Sequence, residues 1–202
     1  MRLRVYGHDG RPVVAFPSQD GRFWDFEGFG MVEACAGLLD AGRVRIVAVD
    51  GIDAQSWTNR DAHPVDRARR HEDYDRYLID EVVPFVRELS GRGTAWVTGA
   101  SMGAYHAANV QFRHPDAIDG CIAMSGLYSV RDWVGDYSDD AVYFNSPLAY
   151  LPNLEDPWYL ERLRGARIVF VVGQGAWEEA CIADTRAMEA VLRAKGIPGH
   201  RR

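Results

Sequence analysis

Hydrophobic positions along this chain fall into two kinds of run, short β-branched blocks and longer stretches in which apolar residues return every three or four places. Val44–Val49 is a continuous apolar block broken only by Arg45, the pattern of a strand buried on both faces of a parallel sheet, and it ends at Asp50-Gly51. Residues 2–6 and 12–16 flank the turn signal Gly7-His8-Asp9-Gly10 and predict a β-hairpin. Residues 29–39 read as a helix. Pro64 opens another, in which Tyr74, Tyr77, Leu78, Val82, Phe85 and Val86 recur at helical period as far as Leu89, with a kink expected at Pro84. Beyond it come a strand and helix around residue 101, a strand at 120–124, an irregular stretch at 125–154, a helix near 157–163, a strand at 167–172 and a helix near 180–195. This alternation predicts an α/β fold with a mainly parallel sheet flanked by helices.

The run Thr94-Ala95-Trp96-Val97-Thr98-Gly99-Ala100-Ser101-Met102-Gly103-Ala104-Tyr105-His106 embeds G-x-S-x-G between strand-like and helix-like segments. A serine raised above the carboxyl edge of a sheet needs a sharp turn that larger neighbours would obstruct, which assigns Gly99 and Gly103 to clearance and Ser101 to nucleophilic attack. The free amides at the start of the next helix point at that turn, so the Met102 N–H is a candidate oxyanion donor. The same residues could form a plain strand-to-helix turn. They also resemble the T-G-x-x-x-G cofactor turn of short-chain dehydrogenases, but Tyr105 replaces the third glycine, the motif lies mid-chain, and Val191 stands four places before Lys195 where that family needs tyrosine.

At 202 residues, 47% apolar and 26% charged, the composition suits one globular domain, 1–202. The net charge of −6 is spread along the chain, and the basic Arg67-Ala68-Arg69-Arg70 is followed by Glu72, Asp73 and Asp75 at helical spacing. Nucleic acid binding is not expected. Cys35, Cys121 and Cys181 sit among small or apolar neighbours, the pattern of reduced core thiols, and no metal or cofactor spacing emerges. With no signal-like or membrane-spanning run, a cytoplasmic protein is expected. Tyr128, Trp133, Tyr137, Tyr143 and Phe144 enrich the 125–154 stretch, which reads either as the roof of an acyl pocket or as a packed surface loop.

Several blocks together resemble the small bacterial esterases of the α/β-hydrolase superfamily, relatives of esterase D and the mycolyltransferases. They are Phe16-Pro17-Ser18-Gln19-Asp20-Gly21-Arg22, Arg67-Ala68-Arg69-Arg70-His71-Glu72, Ser101-Met102-Gly103-Ala104-Tyr105-His106-Ala107-Ala108-Asn109, Tyr143-Phe144-Asn145-Ser146-Pro147 and Gly173-Gln174-Gly175-Ala176-Trp177-Glu178. The resemblance implies an α/β-hydrolase fold and hydrolysis of small carboxylic esters through an acyl-enzyme on Ser101. It implies that the Met102 amide forms half of the oxyanion hole and the loop after residues 12–16 the other half. Pro17 has no N–H, so Ser18 or Gln19 is the candidate, with Gln19 preferred. It places the triad acid just after Trp177, favouring Glu178 over Glu179, with Asp184 third; both glutamates could equally serve as helix N-terminal charges.

The histidine breaks the pattern. Superfamily order is serine, acid, histidine, and His200 alone satisfies it. A strand at 167–172 ending at the catalytic edge, followed by a helix at 180–195 rising ~1.5 Å per residue, returns the chain about 24 Å to the opposite edge. His200 is therefore expected at the wrong end, in a C-terminally shortened fold lacking the last strand and helix. His63, His71 and His114 read as ordinary surface or helix-end residues, and His106 as pointing away from Ser101. Weak or absent activity is expected, with the edge of the 168–172 strand open to self-association. A non-catalytic binding or scaffold protein of the same fold, or an acyltransferase, is the alternative.

Overall fold

The computed structural model describes residues 1–201 and forms a seven-stranded sheet. The strands are β1 (Leu3–Tyr6), β2 (Arg11–Phe16), β3 (Val44–Val49), β4 (Ala95–Ala100), β5 (Ile118–Met124), β6 (Arg167–Val171) and β7 (Gly199–Arg201). Their order is β1-β3-β2-β4-β5-β6-β7, parallel except for β1. The mainly parallel α/β architecture is the one the sequence predicts.

The hairpin is not formed. β1 pairs antiparallel with β3, which lies between it and β2. Val13-Val14-Ala15-Phe16 is apolar on both faces and buried throughout, so β2 needs a neighbour on each side, whereas β1, carrying Arg4, tolerates the edge. The intervening turn passes so close to the start of β3 that a Cβ on Gly10, at φ +98°, would overlap the backbone of Arg43.

The predicted helix at 29–39 is three separate turns, α1 (Asp25–Gly28), α2 (Met31–Ala34) and α3 (Ala36–Asp40). Gly30 at φ +74° stops helical propagation, and Phe29 is left exposed. The long helix is α4 (Pro64–Tyr77), a π-helical stretch at Leu78–Val82, and α5 (Val83–Ser90). Pro84 supplies no N–H and its ring crowds the carbonyl four places earlier, so the disturbance lies on its amino-terminal side. Helix α6 (Met102–Arg113) is central: all but its last residue is buried. The stretch at 125–154 holds α7 (Arg131–Val134), α8 (Asp140–Tyr143) and α9 (Pro147–Tyr150), and α10 (Pro157–Gly165) and α11 (Glu179–Ala194) flank β6.

The pleat sends alternate residues to opposite faces. Val14, Phe16, Val97, Cys121, Ala123, Ile168 and Phe170 join one core with residues of α4, α5, α6, α10 and α11. Val13, Ala15, Ile46 and Ala48 meet Phe26, Val32 and Leu39 on the other side.

The last strand, expected to be missing, is present over three residues: Gly199, His200 and Arg201 align with Ile168, Val169 and Phe170. The edge of the sheet there is β7, and β6 is paired over those positions. The helices act as covers and none of those described is long and apolar enough to cross a membrane.

Candidate active site at the carboxyl edge of the sheet

Ser101 occupies the turn between β4 and α6 with φ +57° and ψ −121°, a conformation disfavoured for any residue with a Cβ. Its amide donates to the Met124 carbonyl at 2.9 Å, and its carbonyl accepts from Ala104 and Tyr105, so the strained turn is held from both ends. The flanking glycines are required by contact. A Cβ on Gly99 would overlap the backbone of Gly103, and one on Gly103 would stand 2.5 Å from the Pro17 oxygen and 2.7 Å from that of Phe16. Gly103 thereby lets the loop after β2 press against the first turn of α6, bringing Ser18 and Gln19 beside the Ser101 turn.

Met102 is buried and its amide is the first of α6; neither it nor the Gln19 amide donates to another backbone group among the described residues. Gln19 is exposed and Ser18 half-buried. Gln19 and Asp20 border a cleft of about 480 Å³ with Thr58, Arg60 and Trp133. On the other side of the loop, a smaller apolar cavity of about 240 Å³ is lined by Phe16, Phe26, Phe29, Ala100 and Met124. Trp133 stacks on Trp57 at 6.3 Å, Tyr128 packs edge-on to Phe170 inside the core, and Phe144 lines a separate cleft at the far end of α6. The aromatic stretch is therefore mainly packing, with Trp133 alone reaching the cleft beside Gln19.

Glu178 and Glu179 are separated by their surroundings. Glu178, the N-cap residue of α11, turns inward: its Oε1 accepts from the Ser125 hydroxyl at 3.0 Å, and its Oε2 is buried without a hydrogen-bond partner. Glu179 is exposed. Asp184 lies inside α11, where its Oδ2 accepts from the Tyr128 amide at 2.6 Å; burial pushes its carboxyl above the usual range despite that bond. Ser125, at φ +49°, also stands 3.4 Å from the Gly173 amide and is a residue that sequence reasoning missed. Asp20, Ser101, Ser125 and Trp177, the non-glycine residues with positive φ among the described residues, all lie in loops at the carboxyl ends of β2, β4, β5 and β6. Strain is thus concentrated at one edge of the sheet.

Each described imidazole is engaged away from Ser101. His106 is fully buried and its Nε2 meets Asp53 Oδ1 at 2.8 Å. His71, read from sequence as a surface residue, is also buried, between Trp57, Tyr105 and His106, because α4 turns that side against α6. Burial, reinforced by His106 and Arg113, holds its pKa well below the ordinary value. His114 Nε2 lies 2.8 Å from Asp75 Oδ2 beyond the far end of α6, His63 caps α4, and His8 sits in the turn against Gly42. No hydrogen bond to the Ser101 hydroxyl is formed by any of them. The backbone of His200 is level with Val169, Ile122 and Thr98, two rungs short of Ala100. At ~3.3 Å per rung and ~4.8 Å per strand, that is roughly 7 Å down and 14 Å across from the Ser101 turn. Its side chain lies outside the described residues. No group of three or more metal-ligating side chains occurs among the described residues.

Comparisons with known proteins give the fold and the family. The Esterase family, described as "Putative esterase", matches residues 1–199. No curated protein sequence matches significantly. Among solved structures, a ferulic acid esterase superposes with a TM-score of 0.72 at 18% identity, covering 96% of this chain and 76% of its own. The Mycobacterium tuberculosis protein MPT51 gives 0.67 at 18% identity, covering 98% and 82%. An S-formylglutathione hydrolase from Staphylococcus aureus gives 0.67 at 10% identity, covering 97% and 73%. These likenesses establish an α/β-hydrolase fold, and the match over residues 1–199 shows that the chain belongs to the Esterase family of carboxylic ester hydrolases.

Proposed function

We propose that this protein is a serine carboxylic-ester hydrolase in which Ser101 forms the acyl-enzyme. The Met102 and Gln19 amides receive the oxyanion, and Glu178 is the acid that orients the base. The reading rests on one observation: the Ser101 turn is strained, Gly99 is dictated by the backbone of Gly103, and Gly103 by the loop that would supply the second oxyanion donor. Glu178 fits its role through the orphaned Oε2, a buried acceptor suited to an imidazole N–H. The ester would lie across the Gln19 loop, between the polar cleft and the apolar cavity.

Because no described imidazole faces Ser101, turnover is expected to be feeble, sustained by binding and oxyanion stabilisation alone. Exposure to a fluorophosphonate probe and to p-nitrophenyl acetate tests the assignment. Labelling and turnover by the wild type that vanish in Ser101→Ala are expected; a Ser101→Ala protein that labels or turns over equally overturns it. The same absence of a facing imidazole favours a second reading, a binding protein that keeps the fold and cleft, and inertness toward both reagents is its signature. An acyltransferase would share Ser101 and be told apart by product formation with an added alcohol.

A further inference from the structure

We propose that the buried Asp53–His106 pair is a positioning device that fixes the oxyanion loop to the helix carrying Ser101; the inference rests on the Ser101 reading above. His106 lies on α6, five residues after Ser101, and Asp53 on the 3₁₀ turn Asp53–Gln55 that follows β3. Both side chains are essentially inaccessible, at 1% and 0% exposure. The carboxylate divides its two oxygens between two elements: Oδ1 meets His106 Nε2 at 2.8 Å, and Oδ2 accepts the backbone N–H of Asp20 at 3.1 Å.

Asp20 is the residue after Gln19, and it is itself strained, at φ +57°. Left alone, a non-glycine residue there would relax toward an extended conformation and carry the Gln19 amide with it. Four contacts oppose that. Asp53 holds the Asp20 amide, the Gly21 amide donates to the Ser18 carbonyl at 2.9 Å, the Thr58 hydroxyl donates to Asp20 Oδ1 at 2.7 Å, and the Gly51 amide donates to the Gly21 carbonyl at 3.3 Å. Of these, only Asp53 continues into α6. A carboxylate shut away from water is expensive unless both oxygens are engaged, and two packed apolar side chains would fill the same space more cheaply. What an apolar pair cannot do is grip a loop amide. Ser101 and Gln19 would have to be held within a few tenths of an ångström of each other for oxyanion stabilisation, and this pair is the polar link between their two elements.

The test uses Asp53→Asn, which keeps an oxygen for the Asp20 amide, and Asp53→Leu/His106→Leu, which restores apolar packing without it. Measurements are denaturant stability, hydrogen exchange at the Asp20 amide, and the fluorophosphonate labelling of Ser101 resolved into its maximal rate and half-saturating concentration. Outright loss of an oxyanion donor lowers rates by about 10²–10³, so displacement of one is expected to slow maximal labelling by roughly 10- to 100-fold in the double variant. The half-saturating concentration should stay within about twofold, the Asp20 amide should exchange faster, and Asp53→Asn should recover most of the rate. A folded double variant that labels as fast as the wild type, or retains Asp20 protection, overturns the proposal; so does an Asp53→Asn variant that is folded yet as slow as the double. If the wild type is not labelled at all, the Ser101 reading fails separately, and unchanged Asp20 exchange in either variant still overturns the coupling of loop to helix.

Discussion

The two halves of the candidate site are built to different standards. On the Ser101 side, β2, β4, β5, the loop after β2 and α6 interlock: Gly99 on Gly103, Gly103 on Pro17, the Ser101 amide on the Met124 carbonyl, and the Asp20 amide on a carboxylate buried beneath α6. On the acid side, Glu178 is held by one hydroxyl, that of Ser125, and one of its carboxylate oxygens has no partner. The first region leaves a substitution nowhere to go. The second has room and an unmet acceptor. A site of this kind keeps its nucleophile geometry whatever happens at the acid, because backbone contacts in a close-packed core cannot relax gradually.

The largest expected effect separates the halves directly. Gly103→Ala should lose about 3 kcal/mol or more in chemical denaturation, since its Cβ would meet backbone oxygens on a rigid loop. Gly173→Ala should lose no more than about 1 kcal/mol, because its Cβ would meet only the movable Glu178 side chain, 2.8 Å away. Equal losses would erase the contrast.

Acid should weaken the Ser101 side next. His71 is buried with a depressed pKa, so below about pH 6.5 the unfolded chain binds a proton that the native chain does not. Stability should therefore fall as pH drops through about 6.5, with a slope approaching ~1.4 kcal/mol per unit. Denaturant midpoints across that range check it, and a His71→Phe protein that shows the same slope refutes the cause.

Ser125→Ala should cost about 1–2 kcal/mol by leaving both Glu178 oxygens without partners, and wild-type stability in that variant would mean the hydroxyl does not anchor the acid. The smallest effect is a gain. Ser101→Gly should be about 1 kcal/mol more stable than Ser101→Ala, because glycine accepts φ +57° without strain; equal thermal midpoints would remove the argument from strain.

How much of this could be read from the chain depends on the range of the interactions. The strand Val44–Val49 and the strand–turn–helix around Ser101 are legible because apolar continuity and small-residue spacing are local signals. The failed hairpin shows the limit: two strands around a good turn were separated by β3, whose claim on both could be felt only in the sheet. His71 shows the same limit in reverse. Its charged neighbours in sequence suggest solvent, while Trp57 from the loop after β3 and the adjacent Tyr105 and His106 of α6 close over it. The order of Glu178 and Glu179 was inferred from resemblance, and what distinguishes them physically is Ser125, fifty-three positions away.

By itself, the sequence determined the central strands, the long helical runs after Pro64 and near 180–195, and where a serine is raised on a glycine-flanked turn, since these follow from side-chain period and backbone freedom within a few residues. The tertiary structure alone decided the strand order, which glutamate faces inward, and that Asp53 reaches from one loop to another beneath Ser101. Those depend on distances between residues far apart in the chain, set by packing of the whole sheet.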